Sequence, residues 1–291
     1  MEEGIIIKGI GGFYYVKVDD KIYECRARGV FRKKKITPLV GDKVKIRINE
    51  EDNSGYIEEI QKRKTELIRP PVANVNHAVI VFAVKKPDPN LWLLDRFLLL
   101  AESQDLDITI CFNKIDLVDE KDTQEFINIY KKAGYRILTT SCKTGKGIDR
   151  LREILKDKIT VFAGPSGVGK STLLNNVQPN LQLKTGEVSQ KTKRGRHTTR
   201  CAELLELNIG GWVVDTPGFS SLKIDYIEDD ELGLYFREIN DYSVDCKFTG
   251  CRHYKEPGCA VKEAVENEAI SKLRYENYLK FLDELKKNRR Y

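Results

Sequence analysis

Over the first 65 residues the apolar positions follow a period of two, clearest at Val16 and Val18 and again at Val44, Ile46 and Ile48. That period marks half-buried strands, whose side chains alternate between core and solvent. Gly, Asp and Asn residues separate five such runs, at residues 5–7, 13–18, 22–25, 43–48 and 56–60. Five short strands in so short a stretch predict a small closed barrel of the OB type.

From residue 66 to 223 the pattern becomes an alternation of strands and helices. An apolar strand at 78–84 precedes a helix at 90–103 with Leu91, Leu94, Leu98 and Ala101 on one face. A strand at 108–112, a helix near 120–132, a strand at 136–140, a helix near 149–156 and a strand at 159–163 follow. Such alternation predicts a mostly parallel sheet covered by helices. Residues 202–207 and 212–215, around Gly210-Gly211, read as an antiparallel hairpin appended to it. The remainder, 224–291, holds a Cys/His cluster and a long helical stretch ending in Lys286, Lys287, Arg289 and Arg290. The division expected is therefore three domains: 1–65, 66–223 and 224–291.

The net charge of +6 admits an acidic partner such as nucleic acid. Arg32-Lys33-Lys34-Lys35 reads as a basic loop, and on a small barrel it points to RNA contact. The densest apolar run, 91–101, is broken by Asp95 and Arg96, so no membrane span is expected. Met1-Glu2-Glu3 lacks the start of a signal peptide, and a cytoplasmic protein is the expectation. In that compartment the seven cysteines are expected as thiols, metal ligands or catalytic groups, not disulfides. Cys25, Cys111 and Cys201 sit in strand-like settings and read as core, as does His77 at the start of a strand.

The chemistry begins at Gly164-Pro165-Ser166-Gly167-Val168-Gly169-Lys170-Ser171, a G-x-x-x-x-G-K-S phosphate loop running from a strand into a helix that continues through Thr172. Its glycines let backbone N–H groups converge on phosphate oxygens, and the helix N-terminus adds its dipole. Lys170 reaches the β- and γ-phosphates, and the Ser171 hydroxyl ligates Mg²⁺. Asn113-Lys114-Ile115-Asp116, just past the strand 108–112, chooses the base. The Asp116 carboxylate can accept both N1–H and the N2 amine of guanine, a donor pair that adenine lacks.

These residues resemble the Ras-like P-loop proteins. The resemblance implies that Asn113 and Lys114 frame the base and that Ser141-Cys142-Lys143 forms the second base-contacting loop. It also implies that Asp215 of Asp215-Thr216-Pro217-Gly218 holds Mg²⁺ through water and that Gly218 senses the γ-phosphate. Thr198 or Thr199 would close over the metal. The motif order is permuted: Asn113, Ser141, Gly164, Thr198/Thr199, Asp215. A sheet needs neighbours, not a particular chain order, so the site survives permutation. The second switch is thereby joined directly to whatever follows residue 223.

Cys246, Cys251, His253 and Cys259 supply three thiolates and an imidazole, the ligand set of a closed structural zinc site. Lys247, Arg252 and Lys255 are interleaved with them.

Barrel, permuted GTPase and Cys3His knuckle together resemble the bacterial ribosome small-subunit-dependent GTPase A family, over essentially the whole chain. That resemblance implies a monomeric GTPase that binds GTP and GDP. It also implies binding to the 30S subunit and its 16S rRNA late in maturation, and stimulation by the subunit. Phe219 stands where Ras-like enzymes carry the glutamine that orients water, so slow hydrolysis in isolation is expected. His197, beside the switch threonines, is the candidate replacement; the alternative is that it contacts RNA or positions its loop. Its segment carries Lys184, Lys191, Lys193, Arg194, Arg196 and Arg200 against Glu187 alone, the composition of a disordered switch awaiting a phosphate-rich partner. Two rival readings stand beside this one: a P-loop ATPase or kinase, which Asp116 argues against, and a nucleotide-gated RNA-binding scaffold that barely turns over.

Overall fold

A computed structural model describes residues 1–68, 70–179, 181, 202–215 and 222–288 of the chain. The N-terminal strands are β1 (Glu2–Ile10), β2 (Phe13–Val18), β3 (Lys21–Ala27), β4 (Lys43–Asn49) and β5 (Ser54–Ile60), with a short helix α1 (Gly29–Lys33) after β3. The small strands β6 (Glu66–Ile68) and β7 (Pro71–Ala73) follow. Next come β8 (His77–Ala83), α2 (Leu91–Glu102), β9 (Asp107–Asn113), α3 (Glu120–Lys132), β10 (Arg136–Thr140), α4 (Ile148–Leu155), β11 (Ile159–Ala163) and α5 (Lys170–Val177). The hairpin strands are β12 (Leu204–Glu206) and β13 (Trp212–Val214), and the C-terminal helices are α6 (Arg237–Ser243), α7 (Ala260–Glu266) and α8 (Lys272–Asn288). Among the described residues no helix is long and apolar enough to cross a membrane.

The chain divides into two units: Met1–His77, Leu151–Phe162 and Ser171–Ser220 form one; Ala78–Arg150, Ala163–Lys170 and Ser221–Tyr291 form the other. In the first, β1-β2-β3-β5-β4 closes into the expected five-stranded barrel, with β3 and β5 parallel and the other pairs antiparallel. The period-two residues fill it: Ile6, Val16, Val44, Ile46 and Ile57 are fully buried. The run Arg32–Lys35, expected as loop, begins as the last turn of α1, anchored by buried Phe31; all four side chains stay exposed. β6 and β7 were not foreseen, because three-residue strands carry no readable period. They are held by Arg63, which gives Nε and Nη2 to the buried Asp42 carboxylate at 2.7 and 2.8 Å and Nη1 to Glu66 at 2.7 Å. In the same unit β13 pairs in parallel with β11 and antiparallel with β12, the hairpin expected. Lys8 of β1 pairs with Glu203 at 3.2 Å, and Lys17 of β2 pairs with Glu206 of β12. His77 is fully buried with Nδ1 3.1 Å from the Thr160 hydroxyl, a satisfied core histidine as expected.

In the second unit β9 lies between β10 and β8, and β10 is parallel to it. All seven residues of β8 are buried, the pattern of a strand covered on both faces. Helix α2 opens with an Asn90 cap, whose Oδ1 accepts the Leu93 N–H at 3.0 Å. From Leu94 to Ala101 every residue is buried, so α2 is covered on all sides, not along the one stripe the sequence suggested. Asp95 and Arg96 interrupt that run because the C-terminal helices supply their partners. Asp95 accepts from Arg274 Nη1 (2.7 Å), Tyr130 Oη (2.8 Å) and Asn277 Nδ2 (2.7 Å). Arg274 also donates Nε and Nη2 to Glu238, at 2.6 and 3.0 Å, and lies over the Phe236 ring at 4.6 Å. This fully bonded charged core joins α2, α3, α6 and α8.

Candidate functional site

The phosphate loop leaves β11 at Gly164 and enters α5 at Lys170. Two of its glycines are dictated by contact. A Cβ on Gly164 (φ +137°) would lie 2.1 Å from the Val81 carbonyl oxygen, and one on Gly169 (φ +99°) would lie 2.5 Å from Asn113 Nδ2. The loop is thus pressed against β8 on one side and Asn113 on the other. Val168 is buried beneath it, while Ser166 and Gly167 are exposed and Pro165 is half-buried. Lys170 folds back, donating Nζ to the carbonyls of Gly164 and Pro165 at 2.8 Å each. Burial pushes its ammonium below the ordinary lysine pKa, so an arriving phosphate meets a cation whose charge it would stabilise.

Asn113 ends β9 and is 1% exposed. Its Nδ2 donates to the Val168 carbonyl at 2.9 Å, and its Oδ1 accepts from the Thr140 hydroxyl at 3.0 Å. It therefore clamps the phosphate loop to the sheet. Lys114 takes the left-handed region (φ 64°) and lays Nζ across the same loop, donating to the carbonyls of Gly167, at 2.7 Å, and Lys86. Asp116 follows in a short 3-10 helix and accepts the Ser141 hydroxyl at 2.6 Å. Ser141 Oγ in turn accepts the Thr144 N–H at 3.2 Å, tying the turn at 141–144 to Asp116. Cys142 is half-buried with Sγ 3.9 Å from Asn113 Oδ1, its thiol pushed up by burial, and Lys143 is exposed. The sequence motifs 113–116, 141–143 and 164–170 are thus brought together in the second unit.

Ser171, half-buried, and Thr172, exposed, continue α5 and fall in the first unit. Asp215, half-buried at the end of β13, donates its N–H to the Glu203 carbonyl at 2.7 Å. His197, Thr198, Thr199, Gly218 and Phe219, the basic residues 184–200 and Cys201 lie outside the described residues. Cys25 and Cys111 are buried, as expected of core thiols.

In the C-terminal part, Cys246, Cys251, His253 and Cys259 bring their donor atoms within 4.8 Å of one another. His253 Nδ1 is 3.5 Å from Cys246 Sγ and 3.4 Å from Cys259 Sγ, and the two sulfurs are 3.9 Å apart. A tetrahedral ion with bonds of about 2.3 Å to sulfur needs donor separations of about 3.8 Å, so the set fits one metal ion. The peptide carrying these four residues is held from behind. Tyr275 and Tyr278 hydroxyls donate to the carbonyls of His253 and Arg252, at 2.7 and 2.9 Å, and Glu256 accepts the N–H groups of Arg252 and Tyr254. Of the interleaved cations, Arg252 is paired with Asp229 at 2.8 Å, while Lys247 and Lys255 lie over the exposed rings of Phe248 and Tyr254. Sequence reasoning missed the Asp95–Arg274–Glu238 core; its signal was two charges inside an apolar run, read only as excluding a membrane span.

Comparison with known proteins agrees with this architecture. The RsgA GTPase family model matches residues 60–225 and the RsgA N-terminal domain model residues 3–57. "Small ribosomal subunit biogenesis GTPase RsgA" of Alkaliphilus metalliredigens is 53% identical, with 100% of both chains covered. The protein of that name from Clostridium perfringens is also 53% identical, over 97% of this chain and 98% of its own. Among solved structures, YloQ, described as a circularly permuted GTPase, is 45% identical with a TM-score of 0.84, over 99% of this chain and 96% of that one. YjeQ from Thermotoga maritima is 42% identical with a TM-score of 0.86 over 98% of each.

Proposed function

Because the chain belongs to the RsgA GTPase family, we propose that it hydrolyses GTP to GDP and phosphate in the biogenesis of the small ribosomal subunit, binding the 30S particle and its 16S rRNA. The observation that carries the reading is the double tie between base loop and phosphate loop: Asn113 on the Val168 carbonyl and Lys114 on the Gly167 carbonyl. Such a tie supports reading Asp116, two residues on, as a guanine-selecting carboxylate beside a phosphate cradle, since a free-standing phosphate loop does not need one. In this reading Asp116 selects the base with Ser141, Cys142 and Lys143 behind it. Backbone N–H groups of 164–169 and Lys170 take the phosphates. Ser171, Asp215 and Thr198 or Thr199 hold Mg²⁺, which would neutralise charge on the β- and γ-phosphates. His197 orients the attacking water.

The Cys3His set holds zinc, the thiolate-rich ligand choice favouring that ion. The chain works as a cytoplasmic monomer of three domains, 1–65, 66–223 and 224–291. The exposed Arg32–Lys35 corner and the lysines around the knuckle support RNA contact at both ends. A nucleotide-gated RNA scaffold with little turnover is the second reading, favoured by Phe219 alone. Phosphate release measured with and without small subunits, at several salt concentrations, tests the proposal. Stimulation by orders of magnitude that collapses as salt rises is expected. GTP binding without stimulated release would leave the scaffold, and equal competition by ATP would remove guanine specificity.

A further inference from the structure

Cys111 is fully buried in β9 and belongs to none of the motifs that bind nucleotide. Its place in the sheet gives it more than a packing role. It lies two residues before Asn113 and so shares that residue's face of the strand. β10 runs beside it in parallel register, with Thr140 directly opposite Asn113. The three side chains meet in the interior. Cys111 Sγ is 3.3 Å from Thr140 Oγ1, which is 3.0 Å from Asn113 Oδ1. Asn113 Nδ2 then reaches the Val168 carbonyl of the phosphate loop at 2.9 Å. Thr140, like Cys111, is fully buried, so no member of the chain has water as an alternative partner.

The direction of this chain follows from its end. A carbonyl oxygen only accepts, so the Asn113 amide turns its NH₂ to Val168 and its oxygen to Thr140. That oxygen also only accepts, so Thr140 gives its single proton to Asn113 and has none left for sulfur. The proton between Cys111 and Thr140 is therefore the thiol's. Burial pushes the Cys111 thiol up to about 12, so it keeps that proton at neutral pH. Every donor then has an acceptor, from thiol to hydroxyl to amide to phosphate-loop carbonyl. With the amide turned over, Asn113 Oδ1 would face the Val168 carbonyl, two acceptors in contact. Thr140 alone does not choose between the two arrangements, because a hydroxyl serves as donor or acceptor. A thiol donating into it favours the one in which its own proton goes to Asn113. Nor can the amide move aside, since a Cβ on Gly169 would already lie 2.5 Å from Nδ2. The Asn113 oxygen also faces the Cys142 thiol at 3.9 Å, a longer and weaker contact.

We infer that Cys111 is a positioning residue for guanine nucleotide binding, its thiol proton directing a buried hydrogen-bond chain that holds Asn113 to the phosphate loop. This role rests on the GTPase reading and adds to the base-framing motif a residue outside it. A thiol that only filled space would leave nucleotide affinity unchanged once the chain is folded.

The full-length chain and its variants are titrated with fluorescent GDP and GTP analogues in the presence of Mg²⁺, and urea unfolding checks that each variant is folded. Cys111→Ala removes the donor and should weaken both nucleotides by about threefold, the effect of one modest hydrogen bond. Cys111→Ser keeps a donor and should bind within about 1.5-fold of the parent. That order separates positioning from packing. Serine buries a hydroxyl in place of an apolar sulfur, so a space-filling role predicts that it does as badly as alanine or worse. A double-mutant cycle with Asn113→Ala completes the test. If Cys111 acts through the amide, removing it from the Asn113→Ala chain should cost no further affinity. Cys111→Val, which fills the site without a donor, takes the place of alanine should that variant not fold. Parent-like affinity without the donor overturns the inference. So does a serine variant as weak as alanine, or an undiminished loss in the Asn113→Ala background. A parent chain that binds neither nucleotide overturns the GTPase reading itself, and the titration of the parent tells the two failures apart.

Discussion

Replacing Arg274 by methionine removes the guanidinium that two buried carboxylates share. Arg274 is 1% exposed, Asp95 fully buried and Glu238 7% exposed. Methionine fills most of the arginine stem's volume, so the loss is electrostatic more than a cavity. Three hydrogen bonds of 2.6 to 3.0 Å disappear. Asp95 retains the Tyr130 and Asn277 donors, whereas Glu238 loses both bonds of the fork. Removing one partner of a buried pair costs about 3–5 kcal/mol, and we expect a loss in that range at pH 8. Protonation offers partial relief. Burial already pushes the Asp95 carboxyl above its ordinary value against the pull of Arg274, and without Arg274 it moves further up. A carboxyl raised in the folded state retains a proton that the unfolded chain has released. Its stabilising share is complete below the ordinary carboxylate pKa and is lost as pH rises through the folded value. The deficit of the variant should therefore be smaller at pH 5 than at pH 8. Urea unfolding followed by Trp92 in the Trp212→Phe background reads the C-terminal packing directly, through its stack on Phe281. Adding Asp95→Asn and Glu238→Gln to Arg274→Met should recover part of the loss, because a neutral core no longer buries charge. A deficit below about 1 kcal/mol at pH 8, or one that does not change with pH, would refute this account of the core.

The remaining expectations concern the site itself. Asp116→Asn should weaken GTP by about 100-fold and move preference to xanthosine triphosphate, in competition binding; an unchanged preference removes Asp116 from the base site. Asn113→Ala breaks the tie to Val168 and should weaken GTP and GDP alike, about tenfold, without altering base choice; a switch in base preference would show that its amide serves the base instead. Purified protein should carry one zinc per chain by elemental analysis, and Cys251→Ser should lose it and loosen the C-terminal helices while GTP affinity persists; metal-free parent protein prepared without chelator would sink the site. His197→Ala should abolish subunit-stimulated turnover yet keep GTP-dependent subunit binding. Normal turnover would assign the water to another group, and lost binding would make His197 an RNA contact.

The sequence alone determined whatever is local in the chain. The phosphate loop was legible because its chemistry needs glycines, a lysine and a hydroxyl at fixed spacing on a strand-to-helix turn. The barrel was legible from Val16, Val18, Val44 and Ile46, which are buried, and from half-buried Ile48, since a period of two turns one face inward. The Cys3His cluster was legible because its four donor residues lie within 14 residues. What the tertiary structure decided is where contacts join distant residues. Nothing local says that Asn113 spends its amide on Val168 and Thr140, or that Asp95 and Arg96 meet residues 126 to 188 positions away. A charge within an apolar helix is ambiguous until its partner is known: exposed, it ends the apolar face; paired, it belongs to the core. Pairing of that kind depends on how α8 packs against α2, and packing is set by the summed burial of Trp92, Phe236, Tyr278 and Phe281, which no single segment of sequence contains.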